Sequence, residues 1–170
     1  MKNNIAYIIK QMHEISHHRP VKKALQKTVF LIEQKGVSLG YDYVLHFYGP
    51  YCAELDQETA QLRTNGIIKF EYGQFGHKID IADNSMEIIS NDLSVDQLEI
   101  IDDVIKRYKN NTASELELLT TAIYAYTRIH ASTQKAVYDS IKRIKGEKYS
   151  DDEIEWAINE FPYFDIAIKQ

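Results

Sequence analysis

A mainly α-helical α+β fold is predicted by three observations in this 170-residue sequence. Apolar residues recur at three- and four-residue spacing through most of the chain. Two short runs rich in β-branched and aromatic residues, 67–72 and 77–81, flank a Gly-containing turn at 73–76. In the second half, Ser94, Thr112 and Ser150 are each followed three positions later by Gln97, Glu115 and Glu153, the pattern of a helix capping box. The first-half order of helix, helix and hairpin is that of a winged helix-turn-helix. The expected architecture is therefore a winged-helix-like N-terminal part (1–90) with a small antiparallel β hairpin, and a helical C-terminal part (91–170) packed on it as one unit.

The elements follow in order. Ile5, Ile8, Ile9, Met12 and Ile15 predict a helix over 3–18, stopped at Arg19-Pro20 because the residue before proline avoids the α region. The next helix covers 21–35. Val21, Ala24, Leu25, Thr28, Val29 and Ile32 form its apolar face, and Lys22, Lys23, Gln26 and Lys27 its polar side; Phe30 and Leu31 widen the stripe enough for packing on more than one side. Residues 41–48 read as extended and end at Gly49-Pro50. A helix over 53–64 places Leu55, Thr59 and Leu62 inward, and the hairpin at 67–81 would be the wing. Helices are then expected over 95–109, from 112 to near Arg128, over 133–145, and after Ser150, with 84–92 as the one plausible seam.

Bulk properties narrow the function classes. The chain is 44% hydrophobic and 26% charged, an ordinary globular composition. A net charge of −5 does not call for a nucleic-acid partner. One cysteine, Cys52, excludes an internal disulfide and fits a reducing compartment. Lys10, His13 and Glu14 interrupt any N-terminal secretory signal, and no apolar run nears the ~20 residues of a membrane span, so a cytoplasmic protein without membrane contact is expected.

The sharpest chemical motif is His13-Glu14-Ile15-Ser16-His17, which satisfies the H-E-x-x-H zinc pattern. No third ligand stands at a recognisable offset and the helix ends at once, so His13 and His17 are weak metal candidates and a zinc peptidase ranks last. Cys52 reads as a buried thiol at a helix start. Glu115, Glu117 and the acidic residues 151–153 read as carboxylates favoured by helix N-termini. Phosphate-loop and dinucleotide motifs are missing, so neither an enzyme nor a bound cofactor is expected. For DNA readout the candidates are Lys22, Lys23, Lys27, Arg63, Lys69 and Lys78. The helix before the wing opens on Glu54, Asp56 and Glu58, which would repel phosphates, so nucleic acid is possible but disfavoured.

Three stretches carry a family resemblance. Lys23-Ala24-Leu25-Gln26-Lys27-Thr28-Val29-Phe30-Leu31 resembles the LQKLLYL helix of the SocA-like Panacea antitoxin domains. Tyr48-Gly49-Pro50-Tyr51, followed by Glu54-Leu55, resembles their YGPY turn. The segments 115–122 and 145–150 resemble the YwgA-type branch. The resemblance implies a bacterial or phage non-enzymatic protein that binds and neutralises a toxin encoded beside it; a winged-helix transcriptional regulator is the alternative. The candidate partner-binding residues on this reading are Gln26, Lys27, Tyr48, Gly49, Pro50, Tyr51 and Glu54, where a stiff aromatic turn would anchor a protein interface.

Overall fold

Eight consecutive residues of the second helix, 25–32, are buried, so this helix is enclosed on all sides. The computed structural model describes residues 3–74 and 76–170; Phe75, within the predicted wing turn, lies outside the described residues. The described elements are α1 (Asn4–Ser16), α2 (Lys22–Gln34), β1 (Val44–His46), β2 (Gly49–Tyr51), α3 (Ala53–Thr64), β3 (Ile68–Gly73), β4 (Gly76–Ile81), α4 (Val95–Tyr108), α5 (Ala113–Thr127), α6 (Gln134–Lys145) and α7 (Asp151–Asn159). Short 3-10 turns cover 83–85 and 161–164. The chain is thus mainly helical, with two small antiparallel hairpins, β1–β2 and β3–β4.

Helix α2 contacts α4, α5, β2 and β4, while α1 lies on α4 and β4. Helix α5 forms the second buried strut: residues 116–123 are all inside, and it packs on α2, α6, α7 and β2. One hydrophobic cluster runs from Ile5 through Val29, Phe30 and Leu119 to Phe161 and Phe164. No described helix is long and apolar enough to cross a membrane.

Local signals place the helix starts. Asn3 caps α1 by accepting the Ala6 N–H at 2.7 Å. The three capping boxes form as expected at Ser94/Gln97, Thr112/Glu115 and Ser150/Glu153. The β3–β4 hairpin is pinned along β4, where the Ile79 N–H donates to the Pro20 carbonyl at 2.8 Å and Val21 bridges Lys78.

Two expectations need correction. Residues 41–48 do not form one extended run ended by Gly49-Pro50. The chain reverses at Phe47-Tyr48 and Gly49-Pro50-Tyr51 returns as β2, pairing Val44 with Tyr51, Leu45 with Pro50 and His46 with Gly49. Gly49 takes φ 86°, which a side chain resists, so the glycine makes the reversal possible rather than breaking the strand. Gln26 and Lys27 do not sit on a solvated face of α2; they are 6% and 2% exposed. A buried polar side chain is tolerated only where its hydrogen bonds are met; Gln26 bonds the Cys52 backbone and Lys27 the Pro50 carbonyl.

The Phe30 ring, 2% exposed, meets the Tyr43 ring edge-on at 5.0 Å. Phe30→Ala is expected to lower the unfolding free energy by about 3–5 kcal/mol, read as a lower urea midpoint at unchanged slope; a loss below about 1 kcal/mol would contradict this packing.

Candidate interaction site at the aromatic hairpin

The β1–β2 hairpin is held from inside by polar side chains of α2 and α6 and packs on α5. Gln26 brackets Cys52: its side-chain amide donates to the Cys52 carbonyl at 2.9 Å and its oxygen accepts the Cys52 N–H at 3.0 Å. Lys27 Nζ donates to the Pro50 carbonyl at 2.6 Å. Lys145 Nζ donates to the Phe47 carbonyl at 2.8 Å. The Phe47 and Pro50 carbonyls thereby accept from lysine side chains, and the Cys52 carbonyl accepts from both Gln26 and the Asp56 N–H at 3.3 Å.

Beneath Gly49 lies Glu117, fully buried. Its Oε1 accepts from Lys145 at 2.7 Å and Lys148 at 2.8 Å, and its Oε2 pairs with Lys23. Burial pushes the Glu117 carboxyl up, but the hydrogen bonds from Lys145, Lys148 and Lys23 outweigh it and bring it down to about 2. Lys145 and Lys148 share one oxygen yet move oppositely. Burial lowers Lys145, whose side chain is 3% exposed, whereas the Glu117 bond prevails for Lys148, at 40%. Lys27 is lowered to about 7, chiefly by burial, with Glu117 opposing and Lys23 and Lys145 reinforcing.

Beside this cluster opens a groove of about 470 Å³. Buried Gln26, Lys27 and Gly49 line it, together with Lys22, Lys23, His46, Tyr48, Tyr51 and Asp56. Lys22 pairs with Asp56 at 2.6 Å, and Lys23 Nζ stands 5.1 Å from the Tyr48 ring centre. At the hairpin tip Phe47 is 80% exposed and Tyr48 53%, their rings meeting edge-on at 5.1 Å.

The structure therefore brings six of the seven candidate partner residues together but divides them. Gln26, Lys27, Gly49 and Pro50 are internal and shape the hairpin, while Tyr48 and Tyr51 face the groove. Glu54, exposed on the first turn of α3, accepts from the Cys52 thiol at 3.2 Å instead. Cys52 is buried and caps α3, accepting the Leu55 N–H, as its place before the helix implied.

The DNA candidates are divided between two places. Lys22, Lys23 and Lys27 line the groove, while Lys22 and Arg63 also share the Phe70 ring, at 5.5 and 5.1 Å from its centre, and Lys69 lies 3.5 Å from Asp83. Lys78 is exposed on β4, paired in register with Glu71. The metal candidates are split as well: α1 ends at Ser16, His17 is its left-handed cap at φ 58°, and His13 lies 3.5 Å from Asp80. No group of three or more His, Cys, Asp or Glu is placed to hold a metal ion among the described residues.

Sequence reasoning missed Glu117, Lys145, Lys148, Phe47 and His46. Glu117 is not a helix N-terminal carboxylate; Glu115 alone fills that role, in the capping box. A signal was present, since Glu117 interrupts the apolar run Leu116, Leu118, Leu119, and a carboxylate inside such a run must find cations.

A family model described as "Antitoxin SocA-like, Panacea domain" matches residues 25–123, more than half of the 170-residue chain. The chain belongs to the SocA-like Panacea antitoxin family. No curated protein matches it. The Panacea match spans Gln26, Lys27, the aromatic hairpin and Glu117, but Lys23, Lys145 and Lys148 lie beyond it.

Two variants test the Glu117 cluster and its contact with the hairpin. Glu117→Gln leaves buried ammonium groups without their counter-charge and is expected to cost about 3–5 kcal/mol at pH 7. The folded carboxyl titrates near 2 against an ordinary 4.5, so its stabilisation is full above about 4.5 and fades as pH falls toward 2. The urea midpoints of the wild type and Glu117→Gln should accordingly draw together as pH falls from about 4.5 toward 2; a gap that stays constant would refute the ion cluster. At Gly49, an added Cβ would stand 3.0 Å from Thr121 Oγ1 and 3.3 Å from Glu117 Cγ. Gly49→Ala should destabilise by about 1–3 kcal/mol in the same assay, whereas an unchanged midpoint would mean the hairpin can lift off α5.

Proposed function

We propose that this protein is a cytoplasmic bacterial or phage antitoxin that neutralises a partner toxin by binding it, without catalysis. The observation that carries the reading is the Panacea match over residues 25–123, which contains the aromatic hairpin and the buried carboxylate beneath it. Membership of an antitoxin-like family points to a toxin–antitoxin role and hence to a protein partner.

The docking surface we assign is the hairpin tip with its groove. Phe47 and Tyr48 present rigid aromatic area at little entropic cost, since the carbonyls of Phe47, Pro50 and Cys52 are already tied to Lys145, Lys27 and Gln26. The segments 115–122 and 145–150, which supply Glu117, Lys145 and Lys148, support placement in the YwgA-type branch. The parts 1–90 and 91–170 act as one unit on this reading, supported by the packing of α1 on α4 and α2 on α5.

The alternative, a winged-helix regulator reading DNA through α3 and the β3–β4 wing, draws no support from the cations. Those of α2 pair with Asp56 and Glu117 or face inward, and α3 opens on Glu54 and Asp56.

Co-expression with the product of the adjacent gene is expected to restore growth that this product alone arrests. Phe47→Ala/Tyr48→Ala should weaken the complex at least about tenfold by calorimetry while leaving the melting temperature within a few degrees. An adjacent product that is harmless, or a complex indifferent to both rings, would overturn this assignment.

A further inference from the structure

We infer that the groove beside the aromatic hairpin recognises an acidic peptide: a partner segment that places an Asp or Glu side chain against Lys23, with the buried Lys27 ammonium behind it, while an adjacent apolar residue packs on Tyr48. This inference deepens the antitoxin reading by naming the chemistry of the docked segment.

Charge balance is the main support. The chain carries a net −5, yet around Glu117 three ammonium groups, from Lys23, Lys145 and Lys148, face one carboxylate, and Lys27 stands beside them with no carboxylate bonded to its Nζ. The cluster holds a surplus of positive charge inside an acidic protein. Lys23 is the member that reaches outward. Its side chain is 29% exposed, and its Nζ lies between Glu117 and the face of Tyr48. An incoming carboxylate finds a partly exposed cation already held in place by Glu117, to which it can add a charge-assisted hydrogen bond. Burial also holds Lys27 near 7, so an approaching anion would favour its charged form.

Shape and surroundings favour a peptide over other anions. At about 470 Å³ the groove falls within the range of ligand clefts, about 300–1,000 Å³. It adjoins Phe47 and Tyr48, whose exposed rings a small anion would leave uncovered. Asp56 lines the groove and Glu54 starts the same helix, so repulsion grows with each added phosphate and disfavours a polyphosphate backbone more than a single carboxylate.

Selection of a random dodecamer peptide library on the full chain tests this. The expected result is enrichment of Asp or Glu next to an aromatic or aliphatic residue. The best peptide, made synthetically, should lose about tenfold or more in affinity when its acidic residue becomes the amide. Tyr48→Ala, at an exposed position, should lose a similar factor, as should Lys27→Met provided its circular dichroism and melting match the wild type. Enrichment of basic or neutral peptides, no enrichment, an acid-to-amide change without effect, or displacement of the peptide by a dT20 oligonucleotide would each overturn the inference. The two readings fail separately. If toxin neutralisation survives while acidic peptides do not bind, the groove chemistry is wrong and the antitoxin reading stands. If acidic peptides bind but no adjacent product is neutralised, the reverse holds.

Discussion

A carboxylate with no access to solvent, Glu117, sets the constraint on which the rest of this structure depends. Ionised and unpaired, it would be among the costliest groups a protein could bury. Held by Lys23, Lys145 and Lys148, it becomes the point where α2, α5, α6 and the loop after α6 must meet. Lys145 spans both sides of the contact, binding Glu117 with one proton and the Phe47 carbonyl with another. The position of the aromatic tip is therefore linked to the charge state of a residue in the core. Buried ion clusters are weak sources of net stability but strong constraints on geometry, because few other arrangements satisfy every charge.

The same logic explains an enclosed helix that carries polar residues. Helix α2 would be an ordinary buried helix were it not for Gln26 and Lys27, which look out of place among Leu25, Val29 and Phe30. Their partners are backbone groups of Pro50 and Cys52, in a segment too short to satisfy itself: β1 and β2 have three residues each. A hairpin of that length is marginal alone, and side chains from the core supply the hydrogen bonds its own ladder lacks. Rigidity at the tip thus comes from the interior of the protein rather than from the hairpin.

Legibility in the sequence divided along these lines. Helix starts governed by local chemistry, at Ser94, Thr112 and Ser150, were readable because a capping box needs only residues three apart. The β3–β4 hairpin was readable from its alternating runs and its glycines. The β1–β2 hairpin was not, because Gly49-Pro50 reads locally as a strand breaker and only the approach of α5 shows why glycine is required there. The site was half legible. Gln26, Lys27 and the aromatic turn stood out as motifs, but their inward direction depended on long-range partners. Glu117 joins Lys145 and Lys148 across sequence separations of 28 and 31 residues, and no short-range pattern reports such a pairing.

That separation bears on how the molecule is made. A nascent chain releases Gln26, the hairpin and Glu117 well before Lys145 and Lys148 leave the ribosome. Until residues 145–148 emerge, the core carboxylate has one of its three lysines, Lys23, and the Phe47 carbonyl has no ammonium to anchor it. The aromatic tip gains its last anchor, the Lys145 bond to the Phe47 carbonyl, only when α6 docks.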